Sequence, residues 1–272
     1  MMIGSSIGIV MSIQFFINQK NNKSRTGTMR KWKYKMLIAW CLLVFHLPQV
    51  WLMIFLVMPK TGNGGFGSFL FNACLLISWG ALHSLLARET PKRLMSKLVG
   101  DDFYKVIYIS IAGISECLVL YFYQPLKGVV WETIGWMYGA LLVLFFMSMG
   151  AVFLFSVTLD YMEVLGIRRI LNRMNHIDAS QKPPALCLKG PYLYCRHPVY
   201  TATILFLWMG PVMTVTKLEL AVFWTVYVII GAVLEDKDTT KTFGSAYEEY
   251  KKQVPLLVPR LRPFHPIRNK TD

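Results

Sequence analysis

Residues 133–157 read TIGWMYGALLVLFFMSMGAVFLFSV, without one charged side chain, and this stretch decides the class of the protein. A helix of about 20 mostly apolar residues is long enough to cross the hydrocarbon layer of a bilayer. The whole chain has the same character, with 54% hydrophobic and only 16% charged residues. Soluble domains carry more charge than this. The sequence therefore predicts an all-α integral membrane protein.

Runs of this kind predict about six transmembrane helices. Besides 133–157, the runs lie at 36–58, 68–86, 103–123, 199–213 and 217–234. Only a short region around Gly210 and Pro211 separates the last two runs. We therefore expect these two to form a tight helical hairpin whose members are shorter or more tilted than usual.

Lys and Arg side chains are concentrated in alternate connections between the spans. Segments 18–35, 87–105 and 158–198 are rich in them, whereas the connections at 59–67 and around Lys127 hold one each. The positive-inside rule therefore places both termini in the cytoplasm. The membrane would be the endoplasmic reticulum or nuclear envelope in a eukaryote, or the inner membrane in a bacterium. This topology signal and attraction to anionic membrane lipid explain the formal charge of +14, so no nucleic-acid partner is needed.

The N-terminal part, residues 1–35, is interpreted as a basic leader that precedes a polytopic membrane domain at 36–272. Residues 1–17 are apolar, but no positive charge precedes them and no small-residue cleavage pattern follows. They are also shorter than a comfortable span, which argues against a signal peptide and a seventh helix alike. An interfacial or disordered leader is the expectation.

Two patterns that resemble functional motifs are discounted by their context. The five cysteines are scattered and form no CxxC pair, so they predict neither a disulfide framework nor a metal site. Residues 62–67, GNGGFG, have the glycine spacing of a dinucleotide-binding loop. That loop works only between a strand and a helix of a βαβ unit. Here it joins two predicted membrane helices, so we expect a flexible turn.

Ionisable side chains next to the spans converge on the predicted cytoplasmic face. They are His83 at the end of the second span, Asp160 and Glu163 after the fourth, Arg196 and His197 before the fifth, and Glu235, Asp236 and Asp238 after the sixth. Because an ionisable group inside or beside a span is a functional candidate by default, we expect a polar pocket among the helices.

Each of these side chains also has an ordinary structural explanation. A lone histidine near a helix end, such as His83, is often a hydrogen-bonded packing group. Asp160 and Glu163 are equally compatible with an ion pair to Arg168 or with simple solvation. The acids that follow residue 234 fit an ordinary charged helix end, although acids at a helix C-terminus oppose the macrodipole.

Arg196, His197 and Pro198 are harder to explain structurally. Proline fits the first turn of a helix, so we expect a helix to begin here, with Tyr200 four residues beyond Arg196 on the same face. Arginine holds a carboxylate in a bidentate fork, Glu235 can accept from an ammonium group, and aromatic rings lie against sulfonium cations. These groups are the complements of S-adenosylmethionine.

The C-terminal motifs resemble a known pattern of membrane methyltransferases. GPYLYCRHPVY at 190–200 and LEDKDTTKTFGSAYEEYKKQVPLLVP at 234–259 are similar to the pattern of isoprenylcysteine carboxyl methyltransferases and phospholipid methyltransferases. WGALHSLLAR at 79–88 and DYMEVLGIRR at 160–169 resemble one branch more narrowly, the methanethiol S-methyltransferases with the related nurim and NnrU proteins. The resemblance covers about residues 70–260.

The resemblance implies an S-adenosylmethionine-dependent transferase whose cofactor pocket faces the cytoplasm and is covered by a C-terminal helical segment. The matched cofactor-binding positions are Arg196, His197, Pro198, Tyr200, Glu235, Asp236 and Tyr247. Asp236 departs from the pattern, which usually has Glu there. His83, Asp160 and Arg196 are the candidate catalytic residues, and Arg168 is a further branch-specific match.

Methyl transfer from sulfur to a thiol fits this set of residues. The thiol must first lose its proton, and the unperturbed pKa of histidine near 6.5 makes His83 a candidate base. The hypothesis is that methanethiol, or another small thiol, is methylated, giving dimethyl sulfide from methanethiol. Two alternatives stay open: another acceptor, such as a lipid amine or a prenylcysteine carboxylate, and a non-catalytic nurim-like membrane protein. The sequence defines no oligomeric partner.

Overall fold

The structure, a computed structural model, describes residues 27–58, 60–158, 161–175, 186 and 188–264. The candidate catalytic residue Asp160 and the predicted leader up to residue 26 lie outside the described residues. The basic end of the predicted leader is helical, because the first helix begins at Gly27.

The described chain is almost entirely helical. Its helices are α1 (Gly27–Val57), α2 (Phe66–Leu86), α3 (Glu89–Val99), α4 (Asp101–Phe122), α5 (Gly135–Thr158), α6 (Tyr161–Val164), α7 (Ile167–Met174), α8 (Pro198–Trp208), α9 (Val215–Phe243) and α10 (Ser245–Gln253). A 3₁₀ turn covers Gly190–Leu193, and two short strands, β1 (Val129–Glu132) and β2 (Val212–Thr214), pair antiparallel. The prediction of an all-α protein is confirmed.

Five of these helices are long and apolar enough to cross a membrane. They contain the candidate spans Lys31–Val57, Phe66–Leu86, Phe103–Phe122, Gly135–Thr158 and Val215–Phe243. Many apolar side chains of these helices are exposed, as lipid contact requires; in α5 only 11% of the apolar window is buried. The protein is therefore a multi-pass membrane protein, as the composition predicted.

The fifth predicted span, 199–213, forms a helix shorter than the run of apolar residues. Helix α8 ends at Trp208. Its length of about 16 Å, at ~1.5 Å per residue, is roughly half of the hydrocarbon thickness. Pro211 has no N–H with which to continue the helix, and Val212–Thr214 pairs with β1 instead. Thr214 then caps α9 by accepting a hydrogen bond from the backbone N–H of Lys217.

The sixth predicted span, 217–234, extends further than expected. Helix α9 continues to Phe243, so Glu235, Asp236 and Asp238 lie inside the helix and not at its C-terminus. These acids therefore do not lie at the negative end of the helix macrodipole. Their positions are decided by their side-chain partners.

The glycine-rich turn between α1 and α2 packs closely against another part of the chain, where a flexible turn was expected. The backbone N–H groups of Gly62 and Gly64 donate to the carbonyls of Leu126 and Pro125, both at 3.1 Å. A Cβ atom at Gly62 would lie 2.4 Å from the Pro125 carbonyl oxygen, and one at Gly64 would lie 2.6 Å from it. The glycines are needed for this close approach of two backbones.

The chain forms two compact units, and each is described by itself. The first lies within residues 1–50, 79–118 and 162–181, and the second comprises 51–78, 119–161 and 182–272. In the first unit, α1 contains Pro48, which cannot donate a hydrogen bond to the carbonyl of Val44. That carbonyl lies against Gly113 of α4, so close that a Cβ atom there would be 1.9 Å from the oxygen.

The second unit has a buried polar cluster between α2 and α9. Glu219 Oε2 accepts hydrogen bonds from Asn72 Nδ2 at 2.9 Å and from the Tyr123 hydroxyl at 3.0 Å. Asn72 also donates to the Gln124 carbonyl and accepts from the Gln124 N–H. The satisfied amide fixes the packing of α2 against α9, because a buried polar group without a partner is costly.

Candidate functional site

The C-terminal segment, residues 254–264, holds the backbone of the Arg196–His197–Pro198 motif. The N–H groups of Arg196 and His197 donate to the carbonyls of Pro255 and Leu256 at 2.9 and 3.0 Å. Helix α8 begins at Pro198, as predicted, and Arg196 therefore lies just before the helix and not on a helical face shared with Tyr200. The segment supplies acceptors that a loop ahead of a helix otherwise lacks.

Arg196 forms a buried ion pair with Asp236 of α9. The guanidinium Nη1 donates to Asp236 Oδ1, and both side chains are only 11% exposed. The Tyr247 hydroxyl donates to the same oxygen at 2.7 Å, and Lys251 Nζ lies 3.6 Å from Oδ2. Asp236 is thus occupied by protein groups on both of its oxygens.

Glu235, the neighbouring acid, is placed differently. Its side chain is 55% exposed, and Oε2 accepts a hydrogen bond from the Tyr200 hydroxyl at 2.8 Å. The ring of Tyr200 stacks on the ring of His197, with 5.3 Å between centroids and 6° between planes. His197 Nδ1 lies 3.8 Å from Glu235 Oε2. Of the two acids, Glu235 is therefore the one open to a ligand.

Two buried nitrogen atoms of the motif have no hydrogen-bond partner within the described residues. They are Arg196 Nε and His197 Nε2. Burial lowers the pKa of His197 below its usual range; Arg196 adds to this effect, whereas Glu235 and Asp236 oppose it. The imidazole is therefore neutral at pH 7. Because an orphaned buried polar atom costs free energy, these two nitrogens are natural contacts for a bound molecule.

The aromatic residues of α10 anchor this helix against the motif. Tyr247 and Tyr250 are both 3% exposed, and the Tyr250 hydroxyl donates to the Tyr192 carbonyl at 2.5 Å. Burial, and then the hydrogen bond to Asp236, raise the pKa of Tyr247. Tyr250 also packs with Val254 and Phe264 in one apolar cluster. The neutral phenol of Tyr247 is a fixed donor to Asp236.

An apolar cavity of about 430 Å³ lies on the other side of α8. Its lining includes Thr201, Ala202 and Leu205 of α8, with Leu144 and Phe155 of α5. The Tyr200 side chain points about 100° or more away from these α8 residues, because successive residues of a helix are rotated by about 100°. The lining also includes Cys195 and Pro198, which flank Arg196 and His197, but it contains no charged side chain of the kind that a charged cofactor needs.

His83 belongs to the first unit, whereas the Arg196 cluster belongs to the second. His83 Nε2 lies 2.9 Å from the Tyr108 hydroxyl of α4, and its ring stacks on Trp79 with centroids 5.3 Å apart. These contacts fit the alternative of a hydrogen-bonded packing histidine.

Glu163, which also follows the fourth predicted span, is ion-paired. Its Oε1 accepts a hydrogen bond from Arg169 Nε at 3.1 Å and lies 3.7 Å from Lys105 Nζ.

The structure thus brings together six of the predicted site residues: Arg196, His197, Tyr200, Glu235, Asp236 and Tyr247. Pro198 begins the helix that carries Tyr200. Lys251, Tyr108 and the acceptors of the C-terminal segment were not predicted from the sequence. Lys251 follows Tyr247 by four residues on α10, which places both on one helical face, so its role had a recognisable signal.

Comparison with known proteins gives related sequences that cover most of the chain. Methanethiol S-methyltransferase of Pseudomonas sp. strain GM41(2012) is 32% identical over 237 residues, which are 81% of this chain and 87% of the relative. The chain belongs to the methanethiol S-methyltransferase family. A second relative, methanethiol S-methyltransferase 1 of Bradyrhizobium diazoefficiens, is 29% identical over 75% of this chain and 73% of its own length.

Bovine nurim is also related, with 28% identity over 60% of this chain and 65% of its own length. No family model matches the chain, and no solved structure matches it. The family resemblance read from the motifs is confirmed, and with it the assignment to a membrane methyltransferase family that includes nurim among its relatives.

Proposed function

We propose that this protein is an S-adenosylmethionine-dependent methyltransferase that converts methanethiol to dimethyl sulfide. The observation that carries the cofactor assignment is the cluster around Arg196, in which a buried ion pair adjoins the half-exposed carboxylate of Glu235 and two unpartnered nitrogens. The acceptor assignment rests on the relatives, which are named methanethiol S-methyltransferases.

The polar atoms of the cluster fit the charged groups of S-adenosylmethionine. Arg196 Nε is an N–H donor with no partner in the described part of the chain, which suits the carboxylate of the cofactor. The Glu235 carboxylate suits the ammonium group, since the side chain is exposed and has accepting capacity left. The stacked rings of His197 and Tyr200 offer aromatic surface to a positively charged sulfur.

Asp236, Tyr247 and Lys251 are positioning residues in this proposal. Asp236 Oδ1 accepts hydrogen bonds from Arg196 and Tyr247, and Oδ2 lies 3.6 Å from Lys251 Nζ. It therefore orients the guanidinium of Arg196 and does not contact the cofactor itself. This differs from the sequence interpretation, in which both acids of the pair contact the cofactor.

When bound, S-adenosylmethionine supplies a methyl group on a sulfonium sulfur, and a thiolate displaces that sulfur in line. The contribution of the protein is to hold the two reactants in a near-attack arrangement and to exclude water. His83 is the proposed acceptor of the thiol proton. The contact between His83 Nε2 and the Tyr108 hydroxyl, 2.9 Å apart, orients the imidazole for this role. Asp160 remains a proposed catalytic partner from the family pattern.

The proposal is tested by product formation in membranes that contain the protein. S-adenosylmethionine and methanethiol are added, and dimethyl sulfide is quantified in the headspace for the wild type, Glu235→Gln and Glu249→Gln. Glu249 is the matched control, because it lies on α10 in an exposed ion pair with Lys252. We expect product with the wild type and the control and a large loss with Glu235→Gln. No product from any of the proteins, with no cofactor binding, would support the nurim-like alternative.

The base role of His83 has its own test. A general base contributes about 10²- to 10⁴-fold to a rate, so His83→Ala should lower turnover by at least roughly 100-fold while S-adenosylmethionine binding is retained. His46→Ala, which changes another histidine on a spanning helix, is the control. Full activity of His83→Ala would remove His83 from the reaction and leave it as a packing group between α2 and α4.

A further inference from the structure

Helix α3, Glu89–Val99, connects two membrane-spanning helices on one side of the membrane. Helix α2 ends at Leu86 and α4 begins at Asp101, so only short links join α3 to the two spans. The chain cannot move α3 far from the membrane surface, because links of two residues and one residue reach at most about 10 Å. No residue of α3 is buried in the protein. Its outer surface is therefore available to the bilayer.

The outer surface of α3 has an apolar column beside a basic column. Leu94 and Leu98 are 64% and 68% exposed and lie four residues apart, on one face of the helix. Arg93 and Lys97 are exposed too and form the adjacent column, also four residues apart. Apolar and basic columns side by side are typical of a helix lying at the boundary between acyl chains and headgroups.

The charges of α3 are only partly neutralised by the protein. Lys92 Nζ pairs with Glu89 at 3.0 Å. Arg93 and Lys97 have no hydrogen bond or ion pair to any part of the chain that the structure describes. Among the residues that the structure describes, these two cations and the two exposed leucines beside them have no partner that offers both negative charge and hydrocarbon.

We propose that α3 is a docking site for anionic phospholipid, in which Arg93 and Lys97 bind headgroup phosphates while Leu94 and Leu98 insert between the acyl chains. The chemistry of the surface favours this occupant over a soluble anion, which offers no apolar surface for the leucines, and over zwitterionic lipid, which carries no net charge. The site is independent of the proposed methyl transfer.

The test is hydrogen–deuterium exchange of the full-length protein in nanodiscs. Exchange of the amides of α3 is compared between discs of pure phosphatidylcholine and discs that contain phosphatidylglycerol. An anionic surface is worth roughly a fivefold factor for each Lys or Arg close to it, so two cations should slow the exchange by about 25-fold. The variant Arg93→Gln, Lys97→Gln should show no difference between the two lipids.

A charge-matched control separates this site from general attraction to the membrane. Lys241→Gln, Lys252→Gln removes two exposed cations that are ion-paired to Asp238 and Glu249. It should retain the full effect of phosphatidylglycerol on α3. Because Arg93 and Lys97 are exposed, the Arg93→Gln, Lys97→Gln variant should unfold in detergent at the temperature of the wild type. An equal unfolding temperature shows that the loss of the lipid effect on α3 does not come from unfolding.

The leucines are tested in the same discs. Leu94→Ser, Leu98→Ser should speed exchange of α3 in both lipids, whereas Leu261→Ser, at a side chain that is 100% exposed, should leave it unchanged. Equal exchange of wild-type α3 in the two lipids, or protection that depends on protein concentration and not on lipid, would overturn the proposal. The second of these results would point to a contact between copies of the chain.

Discussion

Separating Arg196 from Asp236 should destabilise the protein far more than removing an exposed pair. Both side chains are 11% exposed, and Asp236 also accepts from Tyr247. Removing one partner of a buried pair leaves the other charge without compensation, which costs about 3–5 kcal/mol. Asp236→Asn keeps the shape of the side chain and removes the charge. Asp238→Asn on the same helix, where the acid is 57% exposed and paired with Lys241, should cost less than about 1 kcal/mol.

The assay is thermal unfolding of the detergent-purified protein in a double-mutant cycle. Arg196→Met and Asp236→Leu are measured singly and together, because an apolar pair of similar volume restores much of what either single change loses. We expect a coupling between the two sites of several kcal/mol, well above the ~0.5 kcal/mol typical of independent sites. Single losses that simply add in the double variant would refute the view that this pair organises the motif.

Three further predictions concern other parts of the chain. Gly113→Ala should lower the free energy of unfolding by about 1–3 kcal/mol, because its Cβ atom would lie 1.9 Å from the Val44 carbonyl oxygen. Gly150→Ala is the control: its Cβ atom would have nothing within 4 Å, so the change should be neutral or stabilising in the same unfolding assay. Because the pKa of His197 is lowered in the folded protein, the unfolded chain binds more protons, and the free energy of unfolding should fall as the pH drops below about 6.5. His197→Gln should make the free energy of unfolding less dependent on pH between about pH 5 and 8. A pH dependence equal to that of the wild type would contradict this. Ending the chain after Val254 removes the carbonyls that hold the motif backbone, and it should abolish activity while the protein still inserts in the membrane, as product assays on membrane fractions would show.

Much of the fold could be predicted because lipid demands long uninterrupted apolar helices. The run at 68–86 became Phe66–Leu86, and the run at 133–157 became Gly135–Thr158. The run at 199–213 has a similar composition, but the chain around Gly210 and Pro211 leaves the helix and pairs with β1. That pairing joins segments about 80 residues apart, and hydropathy carries no information on such contacts.

The candidate site was predictable in its members and less so in their roles. Charge near a span indicated Arg196, Glu235 and Asp236, and the resemblance to membrane methyltransferases added Tyr247. Which of the two acids is buried depends on the rotation of α9 about its axis, because adjacent residues of a helix point about 100° apart. Asp236 therefore takes the buried ion pair and Glu235 the exposed position. The acceptors of the C-terminal segment are backbone atoms, which no residue pattern marks.

The central claim, a cofactor site built around Arg196 and Glu235, is tested most directly by equilibrium binding of S-adenosylmethionine to the purified protein. A hydrogen bond to a charged group contributes roughly 1.5–3 kcal/mol, so Glu235→Gln should weaken binding about 10- to 100-fold. Glu249→Gln should bind like the wild type, since its ion pair with Lys252 lies apart from the motif. Equal affinities for all three proteins, or no binding to the wild type, would contradict the account.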